Sequence, residues 1–450
     1  MQLAFAEQAA EYVNALHIDD ISSSAADQAE VCFKDWLGVA WAGSKTPTGQ
    51  VVRNWLAAGD YHGCATVLGY PIQVNEMEAA LANGVFGHVL DYDDIYPWGP
   101  GHPSSTVMPA VLALGEKLGI SGKAALEAII AGFQVQYAVG EAIMPEHYQT
   151  GWHNTATLGH IGAAAAAAKV MNLAKDEIRH AIGIAATSAG GLQSVFGSMA
   201  KSYNAGKAAM DGVLAAITAS HGYDSSLHVF EGHGGFWRVF ASKYDEKKAV
   251  QALEKGYVVE RVRFKYYPSC YSTHGIIECM KGIREQTGPE FAPRDVKKIT
   301  CYVHPRCIDI AAIPEPKTGL EGKFSVQFCG AYTLMKGDII LDDFSDESVG
   351  DPTCRYLMSI TGLVVDPGFT EERKAAAVVE MKDATKFIKE INLVEMTQDV
   401  VKTNQNVETK FHDLMKDHTG TVALIKKGMR NIADIRSVTN SLRIRKQDAS

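Results

Sequence analysis

The sequence predicts a mainly α protein. A large all-helical domain, residues 1–255 plus 400–450, carries a smaller α+β lid domain, residues 256–399, inserted before the C-terminal helices. Three observations predict this. Apolar residues recur at helical spacing in "DQAEVCFKDWLGVAWAG", "GKAALEAIIAGFQVQYAVGEAI" and "DEIRHAIGIAATSAG". Near residue 256 the chain becomes β-branched, aromatic and alternating. From about residue 405 the helical pattern returns in "NVETKFHDLMKDH" and "TVALIKKGMRNI". At 450 residues the chain is too long for one simple core.

Within the first domain, residues 155–220 are rich in Ala and Gly, which lets helix axes approach closely and predicts a dense bundle interior. In the second, "YVVERVRFKYYP", "VKKITCYVHPRCIDIAAI" and "KAAAVVEMKD" read as strands. "THGIIECMKGIREQ", "KFSVQFCGAYTLMKGD" and "DPTCRYLMSITGLV" read as helices.

The bulk properties exclude several function classes. The chain is 46% hydrophobic and 21% charged, the profile of a globular protein. Its net charge is −9 and the only short basic run is "RIRK", so no nucleic acid partner is expected. The "AAAAAA" run at 163–168, between His160 and Lys169, predicts tight helix packing and no membrane span. The eight cysteines are scattered and the N-terminal stretch lacks a signal-peptide pattern, which predicts a cytoplasmic protein.

Four clusters carry candidate chemistry. "HVLDYDDIYPWGPGHPSST" places His88, Asp91 and Asp94 at three-residue spacing, on one face if the preceding helix continues. Its Pro/Gly break then returns the chain with His102 opposite them. The competing reading is a solvated acidic loop. "GWHNTATLGH" sets His153 before an Ala-rich helix, whose N-terminus favours anions. "GSMAKSYNAGKAAMDG" holds Lys201 and Lys207 among small residues, where a lysine is open to desolvation. It is not a P-loop, because Ala208 follows Lys207 where a Ser or Thr is required. "RFKYYPSCYSTH" gathers Lys265, Tyr267, Ser269, Cys270 and His274 at a strand-to-helix turn, with Ser269 as the expected helix cap. "CYVHPRC" offers Cys301, His304 and Cys307 but no fourth ligand, so no zinc is assigned.

These stretches, with "PAVLAL", "FEGHGGF" and "TGLEGKFS", together resemble the MmgE/PrpD family along nearly the whole chain. The resemblance implies a helical domain with an α+β lid, a homodimer and a cleft site. It implies a small di- or tricarboxylate substrate and neither metal nor organic cofactor. The family pattern falls on Asp91, His102, His153, Lys201, Lys265 and the turn from Cys270 to His274. The chain departs from the family's pattern at several positions: Ile95 stands where the decarboxylases and dehydratases carry Thr, Asn204 and Cys270 each stand where the decarboxylases carry His, and the methylcitrate dehydratases' Trp/Glu-bearing approach to the Gly-His-Pro motif is absent.

The implied chemistry is proton transfer at a carbon α to a carboxylate. Asp91, His102, His153 and Lys201 are the candidate catalytic residues, with Asp91 either setting a histidine's tautomer or acting as the base. Lys265, Asn204, Tyr267, Ser269, Cys270 and His274 are the candidate substrate-binding residues. Expulsion of a leaving group makes a dehydratase- or decarboxylase-like lyase; return of the proton to the opposite face makes an epimerase of a dicarboxylate such as iminodisuccinate. More distant alternatives are a Mg²⁺-dependent diphosphate enzyme, suggested by "DYDDIY", and a non-catalytic binding protein.

Overall fold

The computed structural model describes residues 3–96, 101–369, 374–397 and 399–443. The Pro/Gly break at 97–100 lies outside these residues. The protein is mainly α, with one four-stranded sheet in its C-terminal part. Two hydrophobic clusters divide the interior. The larger joins residues from Phe5 to Phe264 with Val407 to Leu442, and the smaller runs from Tyr267 to Val379.

Small residues organise the larger cluster. The helix Asn154–Val170 is buried along almost its whole length, including all six alanines at 163–168. It packs against Gly122–Ile143 and Met199–Ser220. The latter also crosses Glu76–Val89 where Gly84 meets Gly206: a Cβ on Gly84 would lie 2.7 Å from Gly206 Cα, and one on Gly206 would lie 2.3 Å from Leu81 O. Close-packed interiors do not absorb such overlaps. This crossing fixes Lys201, early on one helix, against His88, at the end of the other.

Side-chain caps set several helix starts. Asn75 accepts from the amides of Met77 and Glu78, Ser121 from Ala124, and Asp399 from Lys402. Each satisfies an amide that has no partner inside its helix.

The sheet has the strand order Thr361–Val365, Val296–Val303, Lys374–Met381, Lys386–Asn392. The first pair is parallel and the other two are antiparallel. In the register, Ile299 faces Val379 and Cys301 faces Ala377, and these residues are buried. The helix Tyr271–Thr287 covers that face, with Gly275 against Ala375.

Three expected elements differ. "VKKITCYVHPRCIDIAAI" is a strand only over Val296–Val303; Pro305 opens a short helix, Pro305–Ile310, capped by the His304 side chain. "YVVERVRFKYYP" forms a 3₁₀ turn, Val258–Arg261, rather than a strand. Val258, Val259, Val262 and Phe264 bury into the helical core, so their apolar content is used without a sheet. Only Arg263 pairs in β fashion, its backbone exchanging hydrogen bonds with Ile95 at 2.8 and 2.9 Å. "DPTCRYLMSITGLV" divides into a helix, Pro352–Ser359, and a strand starting at Thr361; the β-branched Thr361, Val364 and Val365 favour the strand. "KFIKEIN", the strand Lys386–Asn392, has no counterpart among the expected strands.

Candidate active site

The helix Glu76–Val89 stops one residue after His88. Asp91 then adopts φ 51°, a left-handed conformation that most side chains avoid. The shared face expected for His88, Asp91 and Asp94 therefore does not form, and the three carboxylates of this run take three directions. Asp94 accepts from the backbone amide and hydroxyl of Ser104 at 3.1 and 2.6 Å. Burial pushes its carboxyl well above the usual range. Asp93 accepts from the Ser105 hydroxyl at 2.5 Å and from His88 Nδ1 at 2.8 Å. Both thus meet the N-terminus of the helix Ser104–Leu118.

Asp91 faces the lysines. Its Oδ1 accepts from Lys201 Nζ at 2.8 Å and from Lys265 Nζ at 2.9 Å, and all three side chains are buried. Burial opposes the carboxylate's charge, but the two ammoniums outweigh it and hold Asp91 well below the usual range. The bridge between Ile95 and Arg263 delivers Lys265 to this position, two residues beyond Arg263. Lys201 also donates to His88 Nε2 at 3.0 Å, so His88 carries its proton on Nδ1, toward Asp93.

Three imidazoles cluster here. The ring of His88 lies 4.7 Å from that of His102 and 5.5 Å from that of His153. His102 has Nδ1 3.4 Å from Asp93 Oδ2 and Nε2 3.9 Å from Asp91 Oδ1. Burial pushes His102 well below the ordinary histidine value, with Asp93 acting against it and Lys265 in the same direction. Burial and Lys201 do the same to His153. Both imidazoles are neutral near pH 7. His153 Nδ1 accepts from the Asn204 side-chain amide at 3.2 Å, which leaves the ring proton on Nε2.

These groups line one cavity. Asp91, His102, His153, Lys201, Lys265 and Cys270 all border it. Burial pushes the Cys270 thiol up to about 11, so it is uncharged there. Asn204 reaches the cavity through His153. The remaining expected residues lie elsewhere. Tyr267 donates to Glu278 at 2.5 Å and borders a larger neighbouring cleft. Ser269 and His274 are fully buried beneath the turn, where the Ser269 hydroxyl pairs with Thr273 and its carbonyl faces His274 Nε2. Cys270, not Ser269, occupies the cap position of the following helix. Lys207 pairs with Asp211 on its own helix, away from the cavity.

Sequence reasoning missed the apolar walls. Phe196, Phe324, Ile310, Tyr148 and Tyr271 border the cavity, and the Lys201 ammonium lies over the rings of Phe196 and Phe324 at 5.6 and 5.4 Å. Tyr271 and Phe324 lie within "RFKYYPSCYSTH" and "TGLEGKFS", but no spacing marks the five as one wall, because they converge from separate elements. Among the described residues, one group has metal-ligand spacing: His88, Asp91, Asp93 and His102, whose donor atoms lie within 4.8 Å of one another. Its chemistry fits a dication poorly, since two ammoniums already contact Asp91.

The MmgE/PrpD N-terminal domain matches residues 7–248, and the MmgE/PrpD C-terminal domain matches 267–434. The chain belongs to the MmgE/PrpD family. Cis-aconitate decarboxylase of Aspergillus terreus is 30% identical over 352 residues, 74% of this chain and 72% of that one. Cis-aconitate decarboxylase of Homo sapiens is 27% identical over 383 residues, covering 82% and 78% of the two chains. 2-Methylcitrate dehydratase of Salmonella typhimurium is 26% identical over 401 residues, 81% and 80%. The protein is an enzyme of MmgE/PrpD type. Lys265 falls just outside both family matches yet stands at the centre of this MmgE/PrpD site. No helix among the described residues is long and apolar enough to cross a membrane.

Proposed function

We propose that the protein is a lyase acting on a small di- or tricarboxylate, of dehydratase or decarboxylase type, with no metal or organic cofactor. The observation that carries this reading is a buried carboxylate held by two ammoniums beside two neutral imidazoles, all facing one cavity. The names of the relatives support it.

In this reading, Lys201 and Lys265 bind a substrate carboxylate and stabilise the negative charge that develops on it. Preorganised cations in a water-poor site are effective at that task. His102, with Nδ1 toward Asp93, presents Nε2 as the base. His153, with its proton on Nε2, is the acid. For dehydration, His102 takes the α proton, the C–O bond breaks, and His153 protonates the departing hydroxyl to give water and an alkene. For decarboxylation, the C–C bond to the leaving carboxyl breaks, releasing carbon dioxide. The electron pair enters the remaining unsaturated carboxylate, and His153 protonates carbon.

A second reading, epimerisation, is supported by the presence of two acid/base imidazoles at one cavity. Incubation with 2-methylcitrate, cis-aconitate, citrate, iminodisuccinate and malate-like acids, followed by NMR in D₂O, separates the readings. A new alkene or loss of carbon dioxide supports the lyase. Deuterium at a stereocentre with the skeleton intact supports the epimerase. No turnover and no exchange with any of them refutes both. Undiminished activity after exhaustive chelation is expected, and loss restored by Mg²⁺ refutes the metal-free mechanism.

The reading includes a cytosolic homodimer. The eight cysteines are scattered along the chain, as suits a reducing compartment. The helix Met199–Ser220 leaves Met199, Tyr203 and Leu214 about half exposed along its outer side, an apolar strip suited to a second copy. Light scattering is expected to give twice the chain mass.

A further inference from the structure

The carbonyl groups of Leu90, Asp91 and Tyr92 are consecutive, and each accepts a hydrogen bond from a different buried lysine. Lys323 Nζ donates to Leu90 O at 2.9 Å, Lys265 Nζ to Asp91 O at 2.9 Å, and Lys410 Nζ to Tyr92 O at 2.5 Å. All three lysines are less than a tenth exposed. They come from three separate parts of the chain: the segment entering the α+β part, the Glu321–Phe324 turn within it, and the C-terminal helix Val400–Leu414.

We propose that Lys323 and Lys410 are positioning residues for Asp91, and that with Lys265 they form a clamp holding the left-handed turn that aims its carboxylate into the cavity. This inference rests on Asp91 being a working group of the lyase site described above.

The physical argument has three parts. The Leu90 carbonyl closes the helix and has no partner within it, and those of Asp91 and Tyr92 lie just beyond its end, which attracts positive charge. Helices commonly satisfy this with a left-handed Gly and backbone amides. Here the left-handed residue is Asp91, which supplies a carboxylate that Gly cannot, and it needs outside support to stay in that conformation. Burying a lysine amine is costly, and burial pulls Lys323 down to about 7, so three such lysines on three successive carbonyls make an expensive way merely to end a helix. Each lysine is itself fixed. Lys323 also donates to Pro268 O at 2.6 Å, and its own carbonyl accepts from the Cys270 amide at 2.9 Å. The same residue thereby ties Asp91 to the turn that carries Cys270. Lys410 pairs with Asp35 Oδ1 at 2.8 Å and lies 3.7 Å from the centre of the Tyr92 ring. Neither Lys323 nor Lys410 borders the cavity that holds His102 and His153; Lys323 lines a small adjoining pocket behind Asp91 and Lys201.

The test is a double-mutant cycle. Lys323→Met should lower kcat about 10- to 100-fold, the scale expected when a working group is misplaced by about 1 Å, with KM changed less than about threefold. In an Asp91→Asn background the same substitution should cost less than about twofold, because the group it positions has already been disabled. Side-chain ¹⁵N shifts of His102 and His153 should move in Lys323→Met, since both rings sit beside Asp91. That readout needs no substrate, so it tests the clamp even if the lyase reading fails. An equal loss in both backgrounds with unmoved imidazole shifts overturns the proposal, as does unchanged kcat. Where Lys323→Met does not fold, Lys323→Gln keeps the site polar but is too short to reach Leu90 O and Pro268 O as the lysine does, and Lys410→Met with Asp35→Leu removes the second clamp without stranding a buried charge. Each should give the same Asp91-dependent loss in kcat, and its absence in both overturns the clamp.

Discussion

Asn204 donates its side-chain amide to Nδ1 of His153 at 3.2 Å, and this single contact decides which nitrogen of the ring carries the proton. With Nδ1 accepting, His153 holds its hydrogen on Nε2. Asn204→Ala removes the donor and frees the ring to adopt either tautomer. Loss of a partner that orients a functional histidine costs about 10- to 100-fold in activity. Asn204→Ala should lower kcat by that order with little change in KM. Side-chain ¹⁵N shifts should show the His153 proton redistributed between its two nitrogens. Retained activity with a mixed tautomer population would remove His153 as the acid.

The Gly84–Gly206 crossing should couple stability to activity. A methyl on Gly206 meets Leu81 O at 2.3 Å and Val85 Cγ2 at 2.8 Å, so Gly206→Ala must push the two helices apart. Overpacking of this kind costs about 1–3 kcal/mol. Lys201 lies on the displaced helix and His88 on its neighbour, so kcat should fall as well. At Gly350 an added methyl would meet nothing within 4 Å, and the backbone has no unusual φ, so Gly350→Ala should stay within about 0.5 kcal/mol of the parent. Urea denaturation of both variants, alongside turnover, checks the contrast.

The helical class and the gathering of ionisable groups at one cavity were legible in the sequence for different reasons. Helical periodicity and the Ala-rich stretch at 155–220 are local signals, and local signals survive folding when every neighbour agrees with them. Asp91, His102, His153, Lys201 and Lys265 stood out because ionisable groups rarely sit among small and apolar residues. The roles inside the cluster were not legible. Spacing alone places His88, Asp91 and Asp94 together, yet one left-handed residue sends Asp91 to the lysines and Asp94 to Ser104. The "YVVERVRFKYYP" stretch has strand composition but no strand to pair with, so its apolar residues join the helical core. Lys323 lies in "TGLEGKFS", but its role was not legible, because its partners are backbone carbonyls 55 and 233 residues away.

Acid should destabilise the protein through buried histidines. Burial pulls His147 down to about 4 and His274 down to about 3, from ordinary values near 6.5. Between those values the unfolded chain binds protons that the folded chain does not. Stability is therefore fully present above about pH 6.5 and is lost as pH falls toward 4 and 3. One such proton contributes about 1.4 kcal/mol per pH unit, so His147 alone accounts for about 3 kcal/mol across its range. His147→Gln removes this titration and should flatten the fall of unfolding free energy between pH 6.5 and 4. An unchanged slope would mean that His147 is protonated in the folded state.

The two ammoniums on Asp91 make a kinetic prediction with a definite sign. Lys201 and Lys265 hold that carboxylate well below its usual range, so Asp91 stays ionised under any mildly acidic condition. Lys201→Ala removes one of them while burial continues to favour the protonated form. The Asp91 carboxyl should then titrate at higher pH. Turnover near pH 7 should fall about 10- to 1000-fold, through loss of charge stabilisation and of proton-transfer geometry. The acidic limb of the pH–rate profile should also move upward, so that the variant loses its remaining activity at a pH where the parent is still fully active. Lys265→Ala should show the same displacement, because its Nζ contacts the same oxygen. Asp91→Asn in either background abolishes the displaced limb if it belongs to Asp91. A limb that persists in the double variant would assign that titration to another group and remove the ammonium pair from control of Asp91.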